Sequence, residues 1–190
     1  MNKTRVGFAV CGSFCTHASV LRALERLAED YEVIPIVSEI SAEADTRFGT
    51  AQGLLDRIKA LTGREPLTGI PAVEPIGPKK LLDVLVIAPA TGNTIAKLAG
   101  GIADTAVTMA AKAHLRNARP VVVAVSSNDG LAAGARNIGE LLARKHYYFV
   151  PFGQDDAQNK PTSLVADFSL IPETVEAALR GEQIQPLLEG

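Results

Sequence analysis

The chain has 190 residues, of which 47% are hydrophobic and 21% are charged, and its formal net charge is −2. These proportions suit a single α/β domain over residues 1–190 that can bury a sizeable core. The nearly neutral charge argues against nucleic acid or an anionic membrane as the main partner. No apolar run approaches the roughly 20 residues that span a bilayer, and the start lacks a secretory signal, so we expect a cytoplasmic protein.

The cysteines and histidines do not indicate a metal site. The two cysteines, Cys11 and Cys15, have a C-x3-C spacing that matches neither a redox pair nor a zinc site. The three histidines are spread along the chain. We therefore predict no metal and two small buried thiols, although a bound cofactor nearby could make Cys15 reactive.

The first predicted unit is a strand over residues 5–11 followed by a helix that begins near Ala18. Between them, Gly12 permits close approach of a ligand to the backbone, and Ser13 can either donate to a phosphate or cap the helix. His17 is a candidate acid or base, and its alternative is an exposed loop histidine without chemistry.

The second predicted strand covers residues 31–36 and leads to Ser38, where a phosphate could bind. In the polar stretch that follows, Arg47 lies beside Phe48, a pair suited to a planar carboxylate ligand because guanidinium groups pair with carboxylates through two hydrogen bonds. A surface arginine in a loop is the alternative. Residues 63–78 are rich in proline and glycine and predict a crossover loop.

The third unit spans residues 84–105, and halfway along it the apolar residues change from a continuous run to helical spacing. The apolar run from Leu85 to Ala88 predicts a buried strand that ends at Pro89. Polar residues then follow at the position where a helix must begin. The first N–H groups of that helix could bind an anion, or the polar side chains could simply cap an ordinary helix start. Residues 105–114 continue the helical pattern, with His114 expected on the surface of the last turn.

A fourth apolar strand, residues 121–125, ends in further small polar residues, and a last strand is predicted over residues 147–151. A helix over residues 171–179 completes the chain. We predict an α/β fold: a Rossmann-like, doubly wound parallel sheet of about five to six strands with helices on both faces. Polar residues at three strand ends predict a ligand crevice at the carboxyl edge of that sheet.

The sequence of residues 88–97, APATGNTIAK, resembles the flavin-binding loop of the flavoprotein family, which includes FMN-dependent cysteine decarboxylases. This resemblance implies that FMN binds at the carboxyl edge. The residues expected to hold it are Gly12, Ser13, Phe14, Ser38, Pro89, Ala90, Thr91, Asn93, Thr94, Ser126, Ser127 and Asn128.

Motifs along nearly the whole chain, among them TRFG at 46–49, RNARPV at 116–121 and FVPFGQDD at 149–156, resemble the family of dipicolinate synthase B subunits. That family implies an oxidoreductase subunit of spore-forming bacteria that helps to oxidise a dihydrodipicolinate to pyridine-2,6-dicarboxylate. It also implies a separate NAD(P)-binding A subunit and a homo-oligomer. The expected site consists of substrate-binding Arg47, Phe48, Gln154 and Lys160, with His17, Arg47 and Lys160 as catalytic candidates.

Two other functions stay open. An FMN-dependent decarboxylase would need a catalytic histidine in the loop at 63–78 and a Pro-x-Met-Asn clamp, but that loop has no histidine and only Asn128 fits the clamp. A non-catalytic scaffold for the A subunit is the second alternative. No G-x-G-x-x-G fingerprint follows a predicted strand, so the nicotinamide is assigned to the partner.

Overall fold

The computed structural model describes residues 3–189, in which strands and helices alternate along the chain. The strands are β1 (Arg5–Val10), β2 (Glu32–Val37), β3 (Leu67–Thr68), β4 (Val84–Ala90), β5 (Val121–Ser127), β6 (Tyr147–Phe149), β7 (Phe152–Gly153) and β8 (Leu164–Ala166). The α-helices are α1 (His17–Asp30), α2 (Glu39–Glu43), α3 (Ala51–Thr62), α4 (Ile70–Val73), α5 (Gly92–Gly100), α6 (Ala106–Leu115), α7 (Ala133–Leu142) and α8 (Ile171–Leu179). Short 3-10 helices cover Phe14–Thr16, Glu74–Ile76 and Phe168–Leu170.

The strands form one sheet in the order β3-β2-β1-β4-β5-β8-β7, and β6 also pairs with β5. Strands β1 to β6 pair in parallel, which confirms the predicted doubly wound parallel sheet. The sequence did not predict the antiparallel pair β7 and β8, which extends the sheet beside the end of β5.

The connections run in opposite directions from the two central strands. The chain leaves β1 toward β2 on one side and leaves β4 toward β5 on the other. Right-handed crossovers then place the helices on opposite faces of the sheet: α1 packs with α3 and α8, and α5 packs with α6 and α7. The reversal opens a crevice between the carboxyl ends of β1 and β4, where sheets of this kind bind ligands.

Burial follows the predicted periodicities. Every residue of β4 is buried, as expected of a central strand covered on both faces. In α1, Val20, Leu24 and Leu27 are buried at intervals of four and three residues, which places one apolar face of the helix on the sheet. This core holds the strand ends of the crevice in place.

Two boundaries in the third unit were predicted wrongly. Pro89 does not end the strand, because β4 continues to Ala90 through a register shift against β5, a position where a strand tolerates proline. Residues 105–114 do not continue α5. Gly101 ends that helix with a φ of 70°, and α6 begins anew with a capping box between Thr105 and Thr108.

Four further expectations also differ from the structure. The loop at 63–78 contains β3, α4 and a 3-10 helix, and the strand predicted at 147–151 ends at Phe149. His114 is only 1% exposed instead of lying on the surface, and its Nε2 donates to the Pro120 carbonyl at 3.0 Å. Cys11 is buried as predicted, but Cys15, in the 3-10 helix before α1, is exposed.

Candidate functional site

A cavity of about 740 Å³ opens at the carboxyl edge of the sheet, and we call it the main cavity. The loops after β1, β4 and β5 and the connection from β7 to β8 build its walls. Its lining consists of Ser13, Cys15, Thr16, Thr91, Gly92, Asn93, Ser126, Ser127, Asn128, Asp129, Asp155, Lys160, Ser163 and Val165. The predicted crevice therefore exists, and six of the predicted cofactor residues line this cavity.

Hydroxyl groups from the loop after β1 and from the end of β5 meet in the main cavity. The Oγ atoms of Ser13 and Ser126 lie 2.6 Å apart, and either can donate. Ser13 has a φ of 59°, a left-handed conformation that is uncommon outside glycine and is typical of functional loops. The Thr16 hydroxyl donates to the Ser13 carbonyl at 2.9 Å and supports that turn.

The amino terminus of α5 forms a second wall of the main cavity. The Thr91 hydroxyl caps the helix by accepting from the Thr94 N–H at 3.2 Å, so it serves the helix as well as the cavity. The first N–H groups of the helix, at Gly92 and Asn93, have no intrahelical partner and can bind an anion.

An aspartate that the sequence did not assign lies against this helix start. Asp129 accepts a hydrogen bond from the Ser127 hydroxyl, and this pair packs onto Gly92. A Cβ atom at position 92 would lie 2.7 Å from both Asp129 Oδ1 and Ser127 Oγ, so any other residue there would displace this pair. Asp129 belongs to the motif SND at 127–129, but nothing in the spacing of that motif indicates the contact with Gly92.

Lys160 closes the main cavity from the loop between β7 and β8. Its Nζ lies 2.9 Å from Asp155 Oδ2, and this hydrogen bond raises the pKa of the lysine. Hydrogen bonds from Ser163 and Lys160 hold the pKa of Asp155 below its usual value, so the pair is ionised at neutral pH. Gln154 is used within its own loop, where its amide donates to the Pro161 carbonyl at 2.8 Å.

A second cavity of about 240 Å³, the minor cavity, shares Thr91 and Asn93 with the main cavity. Its other lining residues are Cys11, Gly12, Ser38, Glu39, Ile40, Thr94, Lys97, Thr105 and Val107. The predicted residues Gly12, Ser38 and Thr94 therefore lie on this side, and the Ser38 hydroxyl donates to that of Ser41 at 3.0 Å.

The minor cavity also carries an unpredicted carboxylate. Glu39 Oε1 accepts from the Ala106 N–H at 2.8 Å and caps α6, whereas Oε2 is buried without a partner among residues 3–189. Lys97 on the same lining is bound to Asp104 at 2.8 Å. Burial raises the pKa of the neighbouring Cys11 thiol to about 12, so this cysteine is protonated and unreactive at neutral pH.

The remaining predicted residues lie elsewhere. Phe14, His17 and Phe48 line a third cavity of about 280 Å³, the Phe48 cavity, and Arg47 stacks on the Phe48 ring at 4.8 Å from its centroid. Arg47 and Phe48 therefore do not share a cavity with Lys160. His17 Nε2 donates to the Cys11 carbonyl at 2.8 Å, which leaves Nδ1 for any acid or base role. Pro89 and Ala90 are buried within β4.

Comparison with known proteins places the chain in a family. Residues 1–145 match the family model described as flavoprotein. The chain belongs to the flavoprotein family. This flavoprotein is 45% identical to the dipicolinate synthase B subunit of Bacillus subtilis (strain 168) over 185 residues, which cover 97% of this chain and 92% of the relative. The family resemblance read from the motifs is thereby confirmed.

Two solved structures extend the likeness of this flavoprotein to three dimensions. The dipicolinate synthase B subunit from Bacillus halodurans C has a TM-score of 0.90 and 47% identity, covering 100% of this chain and 99% of that chain. The FMN-dependent cysteine decarboxylase SpaF has a TM-score of 0.67 and 27% identity, covering 92% and 97%. The similarity to the dipicolinate synthase protein is therefore the stronger in both sequence and fold.

Two further findings bear on the predicted absence of a metal and of a membrane span. No group of three or more His, Cys, Asp or Glu side chains among residues 3–189 is placed to hold a metal ion. Within the same range, no helix has the length and apolar character needed to cross a membrane.

Proposed function

We propose that this chain is the B subunit of a dipicolinate synthase, an oxidoreductase that converts a dihydrodipicolinate into pyridine-2,6-dicarboxylate during sporulation. The observation that carries the proposal is identity of 45% and 47% to two proteins named as that subunit, over nearly the full length of each. The oxidation removes a hydride and a proton from the dihydropyridine ring. A separate A subunit contributes the NAD(P) that accepts the hydride.

We further propose FMN as the cofactor of this subunit. The main and minor cavities adjoin at Thr91 and Asn93, so polar groups from both surround the start of α5, where a mononucleotide could bind. The hydroxyls of Ser13 and Ser126 and the first N–H groups of α5 can bind its polar groups. Bound FMN would supply a carrier for the hydride on its way from the ring to the NAD(P) of the A subunit. The polar residues of this chain would hold and orient it at the carboxyl edge of the sheet.

The substrate site is assigned to the Lys160 end of the main cavity. A dicarboxylate needs cationic partners when it leaves water, and Lys160 is the one lysine or arginine on that lining. Its salt bridge with Asp155 orients the ammonium group before a ligand binds. His17, Arg47 and Phe48 form a separate candidate group at the Phe48 cavity.

The wider organisation follows from the same proposal. One sheet joins β1 at the amino end to β8 near the carboxyl end, which supports a single flavoprotein-like domain over residues 1–190. We propose a cytoplasmic homo-oligomer that associates with the A subunit. Neither nucleic acid nor membrane is part of this proposal, in keeping with a formal net charge of −2.

The two alternatives are less well supported. The segment at 63–78, which includes β3 and α4, has no histidine to match the catalytic histidine of the decarboxylase branch. A scaffold would not require a cavity of about 740 Å³ lined by polar groups from four separate loops. Both alternatives nevertheless make predictions that differ from ours.

Reconstitution tests the proposal. We expect each purified subunit alone to be nearly inactive, and their mixture to form the pyridine absorbance with NADP and dihydrodipicolinate. A variant that blocks the main cavity, Asn93→Leu, should abolish that activity while the subunits still bind each other. Unchanged activity of the Asn93→Leu complex would favour the scaffold, and full activity of this chain alone would overturn the division of roles.

A further inference from the structure

A fourth cavity of about 530 Å³, the side cavity, adjoins the main cavity, and the two share Cys15, Thr16 and Val165. One of its walls is a face of α1, and another is the stretch from β8 into the following 3-10 helix. The side cavity therefore lies next to the main cavity, with Cys15 and Thr16 on the wall between them. The family resemblance assigned no residue of this chamber to a site.

The side cavity is lined by two arginines of α1, Arg22 and Arg26, together with Ser19. Their spacing of three, four and seven residues places them on one face of the helix. Arg22 Nη2 donates to Ser19 Oγ at 2.9 Å, so the guanidinium folds back toward the amino end of α1. That direction leads toward Thr16 and the main cavity.

The two arginines differ in their partners. Arg26 donates to the Ser169 carbonyl at 3.1 Å and lies 3.9 Å from Glu173. Among residues 3–189, Arg22 has no carboxylate within 4.0 Å. Asp167 on the cavity lining accepts from both the N–H and the hydroxyl of Ser169 through its Oδ1 atom. Arg22 thus keeps most of its N–H donors available to a ligand.

We propose that Arg22 binds one carboxylate of a dicarboxylate ligand whose other carboxylate lies at the Lys160 end of the main cavity. A guanidinium matches a carboxylate through two parallel hydrogen bonds, and the shared walls of the two cavities connect it to Lys160. This inference rests on the proposed function for the identity of the ligand. It assigns to Arg22 the role in substrate recognition that the sequence suggested for Arg47.

Calorimetric titration of the full chain with two probes tests the assignment. Pyridine-2,6-dicarboxylate has both carboxylates, and pyridine-2-carboxylate has only one. We expect Arg22→Gln to weaken binding of the dicarboxylate about tenfold, as for loss of a charged hydrogen bond, and to change binding of the monocarboxylate less than about twofold. Arg22→Lys should retain part of the affinity.

Arg26→Gln is the matched control, because it removes the same charge from the same helix face at a residue that already has partners. Equal losses with both probes, an unchanged affinity in Arg22→Gln, or the same loss in Arg26→Gln would each overturn the inference. If the wild-type chain binds neither probe, the inference is also wrong. The proposed function would then still be decided by reconstitution with the A subunit, since that partner could hold the substrate.

Discussion

The hydroxyl oxygens of Ser13 and Ser126 lie 2.6 Å apart although 113 positions separate them in the sequence. Ser13 follows β1 and Ser126 lies near the end of β5, and β4 stands between these two strands in the sheet. The hydrogen bond therefore crosses the carboxyl end of β4. It joins the two sides of the crevice and supports the left-handed conformation of Ser13.

Removal of this bond should destabilise the chain and weaken flavin binding together. We expect Ser126→Ala to lower the free energy of unfolding by about 1 kcal/mol, measured by urea denaturation. Ser13→Ala should cost a similar amount. Because both substitutions remove the same bond, the double variant should be scarcely less stable than either single variant. Fully additive losses would show that the two hydroxyls act independently.

Asn93 lines both the main and the minor cavity. Asn93→Leu should abolish FMN binding, measured by flavin fluorescence quenching, because a branched apolar side chain takes up space on both linings and removes a polar contact. The matched control is Asn137→Leu on α7, which lies outside these cavity linings. Equal affinity of wild type and Asn93→Leu for FMN would remove this residue from the cofactor site.

Gly92 and Gly139 provide a pair of helical glycines with opposite surroundings. A Cβ at Gly92 would lie 2.7 Å from Ser127 Oγ and from Asp129 Oδ1, whereas one at Gly139 would have no heavy atom within 4 Å. We expect Gly92→Ala to lower stability by displacing the Ser127 and Asp129 pair. Gly139→Ala should raise it by about 0.5–1 kcal/mol through helix propensity. Thermal unfolding of both variants checks the contrast, and a stabilising Gly92→Ala would contradict it.

The fold was predictable because its signals are local and repeated. Apolar runs such as residues 121–125, each followed by small polar residues and a helical pattern, define parallel strands and their crossovers without knowledge of distant contacts. The pair β7 and β8 was missed because these strands have only two and three residues, too few to show an alternating pattern. The break between α5 and α6 was missed because alanine continues the apolar face across it.

The site was predictable only in part. Sequence spacing shows which residues end a strand, but it does not show which strand ends lie next to each other in the sheet. Ser13, Thr91 and Ser126 meet in the main cavity because the sheet order places β4 between β1 and β5. Arg47 and Lys160 were grouped by their charge, yet they lie on different loops. Asp129 and Glu39 were missed because their roles depend on contacts with Gly92 and Ala106, which no sequence pattern indicates.

The buried imidazole of His114 should make the free energy of unfolding depend on pH. Burial lowers the pKa of its imidazole from 6.5 to about 4, so the folded chain requires the neutral ring. Between these two values the unfolded chain binds the proton more readily, and stability must fall as the pH decreases from 6.5 toward 4. Above pH 6.5 this group adds no further dependence. This pKa shift corresponds to a decrease of about 3 kcal/mol in the free energy of unfolding once the pH has fallen to about 4.

Urea denaturation of wild type and His114→Gln from pH 7 to pH 4 measures this contribution. The variant should be less stable at pH 7 but should lose less stability on acidification. His17→Gln is the control, because it removes a histidine whose side chain is only partly buried. If the free energy of unfolding fell with the same slope against pH in wild type and in His114→Gln, His114 would not be the cause of the loss of stability in acid.

Arg47 stacks on Phe48, which lines a different cavity from Lys160, and this separation predicts that the two cations act independently in the assembled enzyme. Lys160→Ala should lower kcat/KM for the dihydrodipicolinate about tenfold, because a substrate carboxylate loses its ammonium partner. Arg47→Ala should then change kcat/KM by the same factor whether Lys160 is present or absent. Steady-state kinetics of both single variants and the double variant give the coupling free energy. A coupling above about 0.5 kcal/mol would mean that the two side chains converge on one ligand, which the geometry of a single chain does not provide.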